Sequence, residues 1–196
     1  MLDESSAVLV SMGHTHYNEI SHDGRTVYVA TRSTGQIEEG DVGFSFATID
    51  RGAVSWRFKT LDSSWPFVMI TSPADRRLAI GPDLGDGSVR QVRASGWGAV
   101  PIAQAEFKID DFSWHPMVGG DSGLFTAPFR APDGPFRLSV RVIDQHRNQD
   151  TDTIEVAPYR AAESKPTGSD AGSIGAWPER HLFGTQLGPN RNGRKW

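Results

Sequence analysis

Dense turn punctuation constrains this chain more than any other feature. From Thr26 onward, short segments rich in β-branched and aromatic residues recur, and Gly, Asp, Asn or Pro interrupts them before any reaches helical length. "TVYVATRS" (26–33), "GFSFATID" (43–50) and "AVSWRFKTL" (53–61) alternate in character from residue to residue, with "HDGR", "EEGD" and "DRG" as turn signals around them. Period two places successive side chains on opposite faces of a strand, and Gly and Asp accept the backbone angles of tight turns. The pattern predicts a mainly β protein that begins as a meander of short antiparallel strands. No stretch carries the length and 3.6-residue period of an amphipathic helix.

The pattern changes at "DSSWPFVMITSPADRR" (62–77), where Pro66 and Pro73 bracket a short apolar run. Proline donates nothing to a strand ladder, so this stretch reads as a connection into a new unit, with a boundary near Ser64. Residues 68–156 then hold seven strand candidates, among them "SVRQVRAS", "IAQAEFKID", "FSWHPMV", "GLFTAPFRA", "PFRLSVRVID" and "DTIEV". Ala103, Ala105, Phe107 and Ile109 share one face; so do Leu138, Val140 and Val142, with Arg137, Ser139 and Arg141 opposite. Seven short strands punctuated by turns predict an immunoglobulin-like antiparallel β-sandwich over 64–159, without the Cys and Trp marker of antibody domains. Residues 160–196 read as an extended, irregular C-terminal tail. Its Trp177, Leu182, Phe183, Leu187 and Trp196 are too apolar for an inert linker and predict docking against a neighbouring surface.

Charge and cysteine usage narrow the function. A formal net charge of −4 over 196 residues gives no basic surface, so nucleic acid is not an expected partner. The absence of cysteine removes disulfides, thiolate metal sites and thiol nucleophiles together. "MLDESSAVLV" carries acidic residues where a signal peptide needs positive charge, and its apolar run is too short to span a bilayer. A soluble, cytoplasmic chain with no membrane partner is the expectation.

The chemistry concentrates in "VLVSMGHTHYN" (8–18). Val8, Leu9 and Val10 form a continuous apolar run, as in a strand buried on both faces, and ligand sites in such sheets lie beyond the carboxyl ends of the strands. Gly13 permits the sharp turn that swings His14 and His16 together, and neutral imidazole is a common ligand of zinc, iron and manganese. Gly13-His14-Thr15-His16 resembles the last metal-binding motif of the calcineurin-like metallophosphoesterases. "YVATRSTGQ", "GFSFATIDRGAVSWRFKTL", "WPFVMITSPADRR" and the tail are also similar to the closing strands, link and end of such proteins. The resemblance implies a two-metal centre (Mn, Fe or Zn) on a β-sandwich flanked by helices, with His14 ligating one ion and His16 the other. The family's Asp-x-His, Gly-Asp-x-x-Asp and Gly-Asn-His-Asp/Glu motifs do not precede residue 13. Residues 1–63 are therefore expected to be the C-terminal portion of a metallophosphoesterase domain, and the chain the C-terminal part of a phosphomonoesterase or phosphodiesterase, inactive alone. Phosphoester would be the substrate of the full-length enzyme only. An unpaired N-terminal sheet edge, free to associate with another chain, follows from the same reading. The rival reading is a non-catalytic sandwich module that binds protein or carbohydrate.

Other motifs carry weaker signals. Gly120-Asp121-Ser122-Gly123 spells a serine-protease nucleophile motif but continues "LFTAPF", and reads more simply as a turn. Asp144-Gln145-His146 matches Asp-x-His by letters but falls after the Gly-His-x-His, at a turn between the last two sandwich strands. His22, beside Asp23-Gly24, reads as a hairpin residue. Trp114 and His115 suit a strand edge or a sugar platform.

Overall fold

A computed structural model describes residues 7–13, 17–32, 41–80, 89–120, 122–157, 174 and 177–182. The protein is mainly β, and its one helical turn among these residues is the 3₁₀ segment Pro178–Arg180. No helix among them is long and apolar enough to cross a membrane. The chain divides into two compact units, residues 1–47, 56–62 and 160–196, and residues 48–55 and 63–159.

The first unit is built on a three-stranded sheet of β1 (Leu9–Met12), β2 (Glu19–His22) and β3 (Val27–Ala30), in the order β1-β3-β2. β2 and β3 form a hairpin closed by Asp23, whose Oδ1 accepts from the backbone of Arg25 and Thr26 at 2.8 Å each. β1, however, runs parallel to β3, with Leu9 opposite Val27 and Met12 opposite Ala30. The expected meander over 26–61 is met only in part, because β3 pairs with β1 and β2 while β4 and β5 form a separate pair among the described residues. Val27, Val29 and Ala30 are fully buried, so β3 takes the centre of the sheet and its second edge is filled from upstream in the chain. β1 has no strand on its outer side among the described residues.

β4 (Gly43–Asp50) and β5 (Ala53–Thr60) pair only with each other among the described residues. Arg51 and Gly52 turn the hairpin at φ 53° and 89°, the left-handed pair that matches strand twist. Its tip, 48–55, counts with the second unit. Gly43 is required by space, because a Cβ there would meet the Lys59 carbonyl and the Phe58 ring. The tail segment belongs to the first unit. Trp177 and Leu182 exchange two backbone hydrogen bonds across the 3₁₀ turn, and both side chains are buried with Trp56 and Phe58 in this unit's apolar interior.

The second unit is a sandwich. One sheet has the order β10-β11-β7-β6, from β6 (Phe67–Ser72), β7 (Val89–Trp97), β10 (Val118–Gly119) and β11 (Leu124–Arg130). The other has the order β13-β12-β8-β9, from β8 (Ile102–Ile109), β9 (His115–Pro116), β12 (Phe136–Asp144) and β13 (Gln149–Val156). Every pairing is antiparallel. The order is that of a constant-type immunoglobulin-like sandwich with one short added strand. Inward residues of both sheets, including Val68, Ile70, Val92, Phe107, Phe125, Leu138, Val140 and Ile154, make one core.

Two details differ from the expected alternation. "FSWHPMV" is not one strand: it splits into β9 and β10, with Met117 between them as the chain changes sheets. Pro116 cannot donate to a ladder, and Met117 instead bonds the Ala105 carbonyl at 2.9 Å. Ala103 is exposed, because the register between β8 and β12 shifts at Ile143/Asp144.

Both outer edges of the sandwich are managed. At one, Asp150 and Asp152 lie on the inward face of β13 with Ile154 and Val156. Their Oδ2 atoms accept from the backbone N–H of Val68 and Ile70 in β6, each at 2.8 Å. These donors point away from β7, and the carboxylates satisfy them at an edge where backbone groups need partners. Asp75 adds a further closure, accepting from Glu155 N–H, while Arg76 N–H bonds the Glu155 carbonyl. At the other edge, β9 and β10 are exposed strands of only two residues each, joined where the chain changes sheets at Met117.

Candidate metal centre

β1 ends at Met12 and β2 begins at Glu19, and both residues lie opposite Ala30, the last residue of the strand between them. The ends of the connection between them thus lie on either side of the carboxyl end of β3, at the end of a parallel strand pair where ligand sites of open sheets form. His14 and His16 belong to this connection and lie outside the described residues.

The polar groups described at the same end are buried: Asn18, Glu19 and Arg32 are each less than 10% exposed. Asn18 is the junction. Its Oδ1 accepts the Arg32 backbone N–H at 2.9 Å, which ties it to the exit of β3. Its Nδ2 donates to the His181 carbonyl at 3.0 Å, which ties it to the C-terminal loop. The Arg32 guanidinium sits 4.6 Å from the Phe58 ring centroid, and the His181 ring is 5.7 Å from the same ring. Arg180, buried, donates to the Trp56 carbonyl at 2.9 Å and lies over the Trp177 ring. Burial pushes the His181 imidazole below its ordinary pKa, and Arg32 and Arg57 push the same way against the opposing pull of Asp41 and Asp62.

The donor set bears on what could be held here. Two imidazoles supply two nitrogen ligands, whereas a catalytic ion takes about three protein ligands. Among the described residues no three His, Asp or Glu side chains converge into a metal site.

The remaining sequence motifs occupy structural positions. Asp144 caps the β12–β13 turn: Oδ1 accepts from His146 and Asn148 N–H, and Oδ2 from the Asn148 amide. Burial raises the carboxyl's pKa, but these donors outweigh it and hold the group below the usual range, as a charged cap and not a ligand. Gly120 and Gly123 close the β10–β11 turn, with Gly123 N–H on the Gly120 carbonyl at 3.1 Å and Gly123 at φ 73°; Asp121 lies outside the described residues. His22 ends β2, and burial lowers its pKa against the pull of Asp23. His115 is exposed on β9, its ring 5.5 Å from Phe107. Trp114 is engaged by cations, with Arg141 at 4.4 Å and Lys108 at 5.2 Å from its centroid, and Arg141 is further paired with Glu106 at 2.6 Å.

Asn18, Arg32 and His181 were not singled out by the sequence pattern. The Asn18–His181 contact joins residues 163 positions apart, and no local spacing signals it.

No protein-family model and no curated protein sequence matches the chain. Among solved structures, it is similar to the sulfane dehydrogenase SoxCD of Paracoccus pantotrophus, with a TM-score of 0.39 and 15% identity over 64% of this chain. The chain spans about a third of that protein, 32% of its length. It is also similar to a Clavibacter michiganensis expansin, with a TM-score of 0.31 and 18% identity, covering 74% of this chain and 72% of that one. A mutant of that expansin, in complex with cellohexaose, gives a TM-score of 0.31 and 19% identity, over 75% and 72% of the two chains.

Proposed function

We propose that this chain is the C-terminal part of a calcineurin-like metallophosphoesterase, contributing His14 and His16 to a phosphoester-hydrolysing centre whose other ligands lie outside it. What supports this reading is the sequence Gly13-His14-Thr15-His16 directly after β1, whose last residue, Met12, lies opposite Ala30 at the carboxyl end of the parallel β1–β3 pair. Two divalent ions in such a centre would polarise the phosphate and lower the pKa of an attacking water. What this chain would supply is narrower, the two imidazoles of His14 and His16. The outer side of β1 is the natural place for the rest of such a sheet to add, and for association with another chain when it is absent.

The reading is tested by metal titration and by the coding sequence upstream of Met1. Zn²⁺ is expected to bind weakly, to be lost in His14→Ala or His16→Ala, and to weaken as pH falls through the imidazole pKa near ~6.5. The upstream frame is expected to encode the Asp-x-His, Gly-Asp-x-x-Asp and Gly-Asn-His motifs. Tight binding of two ions, or an upstream frame without those motifs, contradicts the proposal.

A second reading, a non-catalytic β-sandwich module, is favoured by one feature of the second unit. A groove of about 730 Å³ opens between β8 and β10, walled by Ile102, Gln104, Met117, Gly119 and Phe125. Its volume falls within the range of about 300–1,000 Å³ typical of ligand pockets.

A further inference from the structure

We propose that the groove beside β8 takes an extended, uncharged peptide segment of a partner protein as an added strand; this rests on the reading of the second unit as a binding module. The groove exists because the chain changes sheets. β9 covers β8 only at Glu106 and Phe107, through Pro116 and His115. At Met117 the chain crosses to the other sheet, where β10 covers β11 at Phe125 and Thr126. Among the described residues, no strand continues the β9 track past Met117, whose N–H bonds the Ala105 carbonyl at 2.9 Å. Residues 102–105 of β8 thus have no neighbouring strand on that side among the described residues, and Ala103 and Gln104 are exposed. Four residues at about 3.3 Å each make a track of about 13 Å.

The lining decides what fits this track. No charged side chain lines the groove, and Gln104 supplies its one polar side chain. Gly96, Gly98, Gly119, Gly120 and Gly123 line it as well, so its polar surface is largely main chain. Main-chain groups at a sheet edge are matched by another backbone, as when an extended peptide adds a strand. A charged segment would give up its hydration with no counter-charge to meet it. A sugar is served less well. Phe125, the aromatic residue of the lining, is buried against Gly96 and Gly119, where an added Cβ would meet its ring, so it offers no open stacking face.

The test follows the backbone amide resonances of the full chain by NMR. The probe is the blocked peptide acetyl-Thr-Val-Thr-Val-Thr-amide, with one analogue N-methylated at the valines and another at the threonines; maltohexaose is the comparison. At millimolar concentration the peptide is expected to shift the amides of 102–105, Gly119 and Gly120. A strand offers only alternate amides to one edge, so one analogue is expected to lose about tenfold in affinity and the other to bind as the parent does. Gly120→Phe sets a ring on the groove wall where an added Cβ meets nothing within 4 Å, and is expected to abolish the shifts while leaving the melting temperature unchanged. The inference is overturned if both analogues bind as the parent does, or if Gly120→Phe binds as wild type does. Should Gly120→Phe fail to fold, the two analogues decide. If maltohexaose moves these resonances and the peptide does not, the second unit is still a binding module and this inference alone falls. If neither moves them, both readings of the groove fall.

Discussion

His181 shows how much one side chain's surroundings set its behaviour. Burial against Phe58, together with Arg32 and Arg57, favours the neutral imidazole over the charged one, and Asp41 and Asp62 only partly offset this. The folded-state pKa therefore lies below 6.5, the ordinary value. A full pH unit or more above about 6.5 the ring is neutral in both folded and unfolded chains and contributes no pH dependence. As pH falls through that value the unfolded chain takes up a proton more readily, and the first unit loses stability until the folded-state pKa is passed. His22, also lowered by burial, acts in the same direction. The melting temperature is thus expected to drop as pH falls through about 6.5, and His181→Asn to flatten part of that drop; asparagine tolerates the left-handed backbone at this position. An unchanged slope in the variant would show that His181 is not one of the groups responsible.

At the level of strands, the sandwich depends on carboxylates where a simpler design would use hydrocarbon. Asp152 is 3% exposed and faces the core beside Ile154, a position where an acid is costly unless its oxygens are satisfied. The Ile70 N–H satisfies one, and in return β6 has an edge donor that is neither bare nor open to another strand. Asp152→Ala is expected to destabilise the second unit by about 1–3 kcal/mol, the cost of leaving a buried donor unpaired. Asp152→Asn, which can keep an oxygen in place, should recover most of that loss in denaturant titrations. Equal losses for the two variants would mean that charge, not acceptance from Ile70, is what matters. None of this was legible in the sequence, where "DTDTIEV" reads as an alternating strand with an ordinary polar start. The alternation of Leu138, Val140 and Val142, and turn signals such as Asp-Gly and Asp-Gln-His, were enough to place the strands and the sandwich, because period and turn chemistry are local. The four-residue β2 was too short to signal itself. The parallel β1–β3 pairing was hidden because which strands flank β3, and in which direction, follows from how the chain connects across the whole sheet and not from any one segment. The Asn18 junction is hidden for a stronger reason: its partners come from opposite ends of the chain.

The whole molecule contains two interiors, and this has a thermodynamic consequence. One set of buried side chains, from Ile20 and Val29 to Trp56, Phe58, Trp177 and Leu182, belongs to the first unit; the sandwich core from Val68 to Val156 belongs to the second. Chains with separate cores commonly depart from a single two-state transition. The sandwich has all eight of its described strands in two four-stranded ladders, with edge strands that are short or bonded by carboxylates, whereas the first unit relies on a three-stranded sheet in which β1 has no outer neighbour among the described residues and on a loop contributed by residues near the other end of the chain. Scanning calorimetry is therefore expected to resolve two transitions, the first unit melting at the lower temperature. Leu182→Ala, which empties a fully buried site, should lower only the first transition, by the equivalent of about 2–5 kcal/mol. Asp152→Ala should lower only the second. The β4–β5 hairpin complicates this separation, because residues 43–47 and 56–60 count with one unit and its tip with the other. Asp50, at that tip, accepts from Thr71 Oγ1 and Arg93 Nε at 2.7 Å each, and these bonds outweigh burial to keep its carboxyl below the usual pKa. If the hairpin transmits unfolding, both substitutions will move both transitions together, and a single peak that shifts with either variant would show that the two units fold as one.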